Sequence, residues 1–191
     1  MPSTTSGQLR AVRRHDAILR AALGLMIGEG MSAVTHRQVA QAADVPWSSI
    51  RYYFTTREDL LRACMQQDMS ERDTEAQRVL EQAHPGLTAK ETARLFLRAF
   101  YGADLSDRRL LGIVGMVVDC ARATPELSSL LQEQRVVIER DFSALLAKCG
   151  RAHVSVSLAA AVIDGSLLNA AALRHDNLAD IATNELAALL N

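Results

Sequence analysis

The stretch Thr35–Arg57 reads THRQVAQAADVPWSSIRYYFTTR and contains start signals for two short helices with a turn between them. Thr35 followed by Gln38 forms a capping pair, which predicts a helix start. Pro46 predicts the second start, because its fixed φ suits the first turn of a helix. Asp44 lies in the turn, where the backbone must be left-handed, and Asp is among the better substitutes for Gly there. The spacing predicts a helix-turn-helix.

The side-chain sizes in this stretch suit two crossing helices. Ala40 is the small residue that a close crossing needs, and the apolar residues expected to point between the helices are Val39, Val45, Ile50 and Tyr53. Such a motif presents its second helix to the major groove of DNA. We therefore expect the segment after Pro46 to contact DNA.

Half of the chain's eight aromatic residues lie between Trp47 and Phe54. We expect Phe54 to be buried in a small local core. Tyr52 and Tyr53 are adjacent at a helix end and cannot both be buried. We expect one hydroxyl to turn outward, where a phosphate oxygen is a natural partner.

The other face of the second helix carries Trp47, Ser48 and Arg51, opposite Ile50. An exposed Trp is costly unless something covers it. Either DNA or a neighbouring loop could do so, and the sequence leaves both alternatives open.

Residues 12–62 resemble the N-terminal domain of the tetracycline repressor (TetR) family of bacterial regulators. The matching elements form one ordered block: Ile18–Ala22, Gly30, Thr35, Val39–Ala43, Val45, Ile50, Tyr52–Phe54 and Arg57–Leu61. The resemblance implies an all-α homodimer that binds an operator through its helix-turn-helix. The rest of the chain is similar to the family in length and helix number alone.

The resemblance implies contacts to bases or phosphates from Arg37, Trp47, Ser49, Arg51, Tyr52 and Tyr53. It also implies that Arg57 holds a phosphate beside the positive N-terminus of its helix.

Three positions depart from the family pattern. The family usually has Gly at Asp44, often Gly at Ser48 and often Tyr at Arg51. The last two departures alter the DNA-contacting surface. Arg51 is the best candidate for base readout, because a guanidinium pairs bidentately with guanine. The alternative, that Arg51 holds a phosphate or a neighbouring acid, stays open.

Helix start signals and three- to four-residue apolar spacing recur along the chain and predict about nine helices, with no convincing strand. We expect a disordered arm over residues 1–8, a helix-turn-helix domain over 9–55 and a dimerisation and ligand-binding domain over 56–191. A long connecting helix should occupy about 56–83. The fold class is all-α.

Charge is divided unevenly. Residues 1–62 contain eight arginines against five acids, whereas the rest of the chain is acidic, within a net charge of −1. This favours contact between the N-terminal region and a polyanion. The three cysteines have no metal-ligand or disulfide spacing, so we expect buried thiols in a reducing cytoplasm. No transmembrane segment, metal site, cofactor motif or catalytic set is recognisable, and we expect no enzyme activity.

The segment Leu158–Leu173 is apolar nearly all round, and the last helix also has more than one apolar face. A two-fold contact made by two helices from each subunit would bury this extra apolar surface. The family resemblance implies the same arrangement. The expected dimer-interface residues are Ala160, Ile163, Leu167, Ala171, Leu186 and Leu190. A purely intramolecular core is the alternative.

An apolar cavity for a small-molecule effector is predicted from bulky residues on the fifth to eighth helices. The candidates are Phe96, Phe100, Tyr101, Ile113, Met116, Val117, Cys120, Phe142, Asp164 and Asn169. Asp164 and Asn169 are polar groups on a helix expected to be buried, where each needs a partner. The residues favour an apolar or weakly cationic ligand, although ordinary core packing explains each of them as well.

The sequence thus predicts a dimeric repressor that binds a palindromic operator and is released by a small molecule. The alternative is a DNA-binding adaptor of the same fold that has no effector and recruits a protein partner.

Overall fold

The computed structural model describes residues 3–122 and 125–191, with the side chains of 8–122 and 127–191. Its helices are α1 (Ser3–Glu29), α2 (His36–Ala42), α3 (Trp47–Tyr53), α4 (Arg57–Gln82), α5 (Ala89–Tyr101), α6 (Asp107–Arg122), α7 (Pro125–Lys148), α8 (Val156–Ala172) and α9 (Leu178–Leu190). A short 3₁₀ helix, Met31–Ala33, follows α1. The described residues contain no strand. The prediction of an all-α fold with nine helices is confirmed over these residues.

Local signals placed most helix starts correctly. Thr35 caps α2 by accepting a hydrogen bond from the Gln38 amide, and Thr88 forms a complete capping box with Glu91. Asp44 has φ +51°, as the turn of a helix-turn-helix requires. The predicted start signal at Thr124 lies outside the described residues.

The first helix is longer than expected. It begins at Ser3, so the disordered arm predicted over residues 1–8 is helical from that point. Residues 8–14 (QLRAVRR) are mostly good helix formers. The helix therefore continues in the N-terminal direction, beyond its first fully buried residue, Ile18.

The chain divides into two units, Met1–Asp68 and Met69–Asn191, and α4 contributes to both. The boundary therefore lies later than the one predicted between residues 55 and 56. The first turns of α4 belong to the N-terminal unit, because Leu60, Leu61 and Met65 are buried there and the Cys64 thiol lies 3.9 Å from the Leu19 carbonyl oxygen.

In the C-terminal unit, α9 packs against α8 and α5. Asn177, just before α9, makes no side-chain cap of its own. The carboxylate of Asp107, at the start of α6, instead accepts hydrogen bonds from the Asn177 and Leu178 amides at 3.2 and 2.9 Å. A cap from another helix thus satisfies the N-terminus of α9.

Helix α8 has two apolar faces, and the fold covers only one of them. Ile163 and Leu167 are fully buried within the subunit. The opposite face carries an exposed stripe of small and apolar residues, Leu158, Ala161, Gly165, Leu168 and Ala172. We call these five residues the α8 stripe.

Most residues predicted for the dimer interface lie in the core of the single chain. Ala160, Ile163, Leu167, Leu186 and Leu190 are buried there, and only Ala171 of the predicted set is partly exposed. Helical spacing identifies apolar positions, but the packing of α9 and α5 decides which face is covered.

All three thiols are buried, as expected. Burial raises the pKa of Cys64 to about 12 and that of Cys120 to about 11, which keeps both protonated at neutral pH. Among the described residues, no helix is both long and apolar enough to span a membrane.

Candidate DNA-binding surface

The second helix of the motif, α3, is anchored by one face and exposes the other. Ile50 is fully buried and Phe54, at the helix end, is nearly so. Trp47, Ser48 and Arg51 are exposed on the opposite face, as predicted. A short helix with a fixed inner face presents its outer side chains in a defined geometry.

Trp47 and Arg51 lie one turn apart and contact each other. The Arg51 guanidinium carbon lies 5.1 Å from the centre of the Trp47 ring, a cation–π arrangement. Trp47 nevertheless remains 52 % exposed. Trp47 and Arg51 thus form an aromatic and cationic patch on the exposed face of α3.

Tyr52 and Tyr53 divide as expected. Tyr52 is 83 % exposed. Tyr53 is half-buried and its hydroxyl donates to the Ala11 carbonyl oxygen at 3.2 Å, with the two tyrosine rings edge to face at 5.1 Å. Tyr52 is thus the tyrosine with a hydroxyl directed outward.

Two histidines hold the end of α3. The His36 Nε2 lies 3.0 Å from the Phe54 carbonyl oxygen, and the His15 ring packs 5.5 Å from the rings of both Tyr53 and Phe54. The sequence reasoning missed both residues. No local signal indicates them, because each contact joins segments 18 or more residues apart.

Arg57 differs from its expected role. Its guanidinium donates to the Val34 and Met31 carbonyl oxygens at 2.8 and 2.5 Å, which ties α4 to the 3₁₀ turn. The first turn of α4 already contains Glu58 and Asp59, and the latter exchanges hydrogen bonds with Thr56. Hydrogen bonds from the Thr56 side chain and backbone to the carboxylate lower the pKa of Asp59. The hydrogen bonds of Arg57 thus position the start of α4 against the 3₁₀ turn, a role that the sequence did not indicate.

The remaining predicted residues lie near the same surface. Arg37, on α2, is exposed, and Ser49 is half-buried on α3. The surface combines Arg37, Arg51, Trp47, Ser48 and Tyr52 as its exposed members. Its arginines can donate hydrogen bonds to phosphates and base edges, and its exposed aromatic rings can pack against DNA.

Comparison with known proteins agrees with this geometry. Residues 18–64, which span α1 to α4 through the helix-turn-helix, match the sequence profile of the bacterial regulatory proteins of the tetR family. This match covers about a quarter of the chain and makes its helix-turn-helix region similar to that of the tetR family. TetR-family proteins are transcription regulators with a DNA-binding helix-turn-helix. No curated protein matches the chain.

Solved structures of TetR-family and related proteins share the fold over nearly the whole chain. A TetR-family member from Streptomyces coelicolor A3 has a TM-score of 0.66 at 22 % identity, with 93 % of this chain and 98 % of that one covered. The TetR-family regulator PfmR from Thermus thermophilus has a TM-score of 0.62 at 19 % identity, with 91 % and 96 % covered. The multidrug binding protein EbrR, solved with malachite green, has a TM-score of 0.60 at 26 % identity, with 94 % and 98 % covered.

The predicted effector residues separate into two groups. The rings of Phe96 and Phe142 lie 4.0 Å apart, those of Phe100 and Phe142 5.3 Å apart, and those of Phe100 and Tyr101 4.8 Å apart. The Tyr101 hydroxyl donates to Asp164 at 2.6 Å. We call Phe96, Phe100, Tyr101, Phe142 and Asp164 the aromatic cluster.

The other candidates are buried on α6 or exposed on the surface. Ile113, Met116 and Cys120 are buried on α6. Val117 and Asn169 are exposed, so neither is the buried group that was expected. Asn169 instead lines a surface cleft of about 700 Å³ between α8 and α9, together with Gly165 of the same helix.

Asp164 is the carboxylate of the aromatic cluster. Burial raises its pKa, opposed by the hydrogen bond from Tyr101 and by the charge of Arg135. Phe100 and Asp164 are both half-buried, which leaves one edge of the cluster accessible. A carboxylate beside aromatic rings can pair with a flat cation.

Proposed function

We propose that this protein is a dimeric, ligand-responsive repressor that binds a near-palindromic operator in the cytoplasm and is released by a small molecule. The observation that carries the DNA-binding part is the exposed Trp47–Arg51 face of α3, anchored from behind by Ile50 and Phe54. One such face per subunit, in successive major grooves, would read two half-sites.

The first test is selection of bound sequences from a random duplex pool, followed by footprinting of the region upstream of the protein's own gene. A repressor of this kind should enrich a two-fold symmetric sequence. Enrichment of no sequence over a scrambled duplex would contradict the proposal.

Arg51 is expected to be the residue that reads a base. Arg51→Ala should weaken binding to the selected operator by roughly 1–3 kcal/mol, while leaving binding to a scrambled duplex nearly unchanged. Arg51→Lys, which retains the charge but not the planar fork, should also lose operator affinity. Fluorescence anisotropy on both duplexes measures the two effects. Equal loss on both duplexes would show that Arg51 contacts a phosphate instead.

The dimer is proposed to form through the α8 stripe, with a second copy of this chain as the occupant. Leu158 and Leu168 on the stripe are each at least half exposed, and Gly165 and Ala161 between them allow close approach of a second helix. Ile181, half-buried on α9, lies beside the same cleft as Gly165 and extends the apolar face. A two-fold axis near Gly165 would bury the stripe against itself.

The aromatic cluster supports an effector that is flat, largely apolar and weakly cationic. EbrR, which shares the fold, is described with malachite green bound, an organic cation. Asp164 would be the counter-ion here, and Phe100 at the accessible edge would receive the ring system.

The effector and the DNA-contacting unit would communicate through α4. Arg72 on α4 donates to the Ala99 carbonyl oxygen of α5 at 2.8 Å and to Asp141 of α7 at 3.3 Å. Glu75 on α4 accepts from Arg98 of α5. These contacts link α4 to two of the helices that carry the aromatic cluster, so displacement of either helix would move α4. A tenfold change in operator affinity needs about 1.4 kcal/mol of such coupling.

An adaptor without an effector is the alternative function. A panel of cationic and neutral aromatic compounds, tested by thermal shift and by release of labelled operator, separates the two. At least one compound should raise the melting temperature of a repressor and release it from the labelled operator. Asp164→Asn should weaken the binding of a cationic compound more than the binding of a neutral compound of the same shape. A panel in which no compound releases DNA would favour the adaptor.

A further inference from the structure

The N-terminal half of α1 carries cations with no acid among them. Arg10, Arg13 and Arg14 precede Asp16, which is the first acidic residue of the chain. All three arginines are exposed. The ion pairs formed within the described part of the chain involve none of the three.

The end of α3 is held directly against this part of α1. The Tyr53 hydroxyl donates to the Ala11 carbonyl oxygen, and the His15 ring contacts the Tyr53 ring. Exposed Tyr52 packs edge to face on Tyr53. The exposed surface of α3 therefore continues onto α1 around Ala11, inside one structural unit.

Helical geometry decides which arginines flank that contact. With about 100° per residue, Arg14 lies about 60° from Ala11 around the α1 axis and Arg10 about 100° from it. Arg20, also exposed, lies about 180° from Ala11, on the far side of the helix. Arg10 and Arg14 also lie one turn apart, so they form a short cationic edge on the exposed surface of α1.

We propose that Arg10 and Arg14 bind backbone phosphates of the DNA that flanks the base pairs contacted by α3. This inference rests on the proposed function and extends its DNA surface from the helix-turn-helix onto α1. A guanidinium without an acidic partner gains from phosphate contact through release of condensed counterions. The contact carries no sequence information, because phosphates are the same at every step.

The test compares Arg10→Ala and Arg14→Ala with Arg20→Ala, which removes the same charge from the same helix about 9 Å from Arg14 and about 15 Å from Arg10 along its axis. Anisotropy on the selected operator and on a scrambled duplex is followed over a series of salt concentrations. Each of the first two variants should flatten the slope of log affinity against log salt by about 1 per protomer on both duplexes. Arg20→Ala should retain the wild-type slope.

A second measurement locates the contacts. Trimming the operator duplex from its ends should abolish the difference between wild type and Arg14→Ala once the flanking phosphates are removed. Thermal melts in the absence of DNA should be the same for all variants, since these side chains are exposed. Wild-type slopes in both Arg10→Ala and Arg14→Ala, with normal wild-type binding, would overturn this inference alone. A wild-type protein that binds no duplex would overturn the proposed function with it.

Discussion

Leu168→Glu is expected to convert the proposed dimer into folded monomers, whereas Leu167→Glu is expected to prevent folding. The two leucines are neighbours on α8, but Leu168 is 53 % exposed in the subunit and Leu167 is 0 % exposed. In a dimer formed through the α8 stripe, the carboxylate introduced by Leu168→Glu in each subunit would lose water at the interface beside its symmetry mate. The cost of burying unpaired carboxylates is several kcal/mol, enough to separate subunits at micromolar concentration.

The Leu167→Glu variant has a different fate. Removing a buried leucine costs about 2–5 kcal/mol, and burying a carboxylate in its place adds several more. The total is comparable with the whole stability of a small protein, about 5–15 kcal/mol. We expect this chain to lack a cooperative thermal transition or to be insoluble.

Sedimentation velocity and thermal melts by circular dichroism measure both outcomes. Val136→Glu is the matched control, because Val136 is 70 % exposed on α7 and lies outside the α8 stripe. It should remain a dimer with an ordinary melt. A wild-type monomer would contradict the dimer proposal, and a dimeric Leu168→Glu variant would place the interface elsewhere.

Arg57→Ala is expected to destabilise the N-terminal unit rather than remove a DNA contact. The change abolishes two hydrogen bonds from a charged group to the Val34 and Met31 carbonyl oxygens, both in residues that are buried. The expected loss is roughly 2–4 kcal/mol of the free energy of unfolding. The melt in the absence of DNA should shift to lower temperature. Below that transition, the salt dependence of DNA binding should match wild type.

Arg57→Lys distinguishes positioning from phosphate binding. Lysine keeps the positive charge but lacks the planar fork that reaches two carbonyls at once. A positioning role predicts that the melting temperature stays low. A phosphate role, as the family resemblance implies, predicts a normal melt for Arg57→Ala together with a flatter salt dependence, and that result would contradict the structural interpretation.

Much of the helix-turn-helix could be predicted because its signals are local. The Thr35 cap, the positive φ of Asp44 and the split between buried Ile50 and exposed Arg51 depend on residues within one or two turns of each other. The same holds for the capping box at Thr88. Backbone sterics and helical periodicity act over these short distances, so the pattern of residue types is sufficient.

The site contacts that the sequence did not reveal join distant segments. Arg57 binds carbonyls 23 and 26 residues away, His36 contacts Phe54 over 18 residues, and Tyr53 bonds to Ala11 over 42. Backbone carbonyls accept hydrogen bonds whatever their side chain, so no residue pattern marks them as partners. The length of α1 was likewise missed, since residues 8–14 are all exposed and bury no periodic apolar face.

By itself, the sequence determined that the chain is helical, where most helices begin, and which short helix exposes a cationic and aromatic face. Only the tertiary structure decided which apolar face of α8 enters the core and which remains exposed. Leu167 and Leu168 are chemically identical, and a helix that is apolar all round has no periodic signal to separate them. The packing of α9 and α5 supplies that distinction, because a side chain is buried by its neighbours and not by its own hydrophobicity.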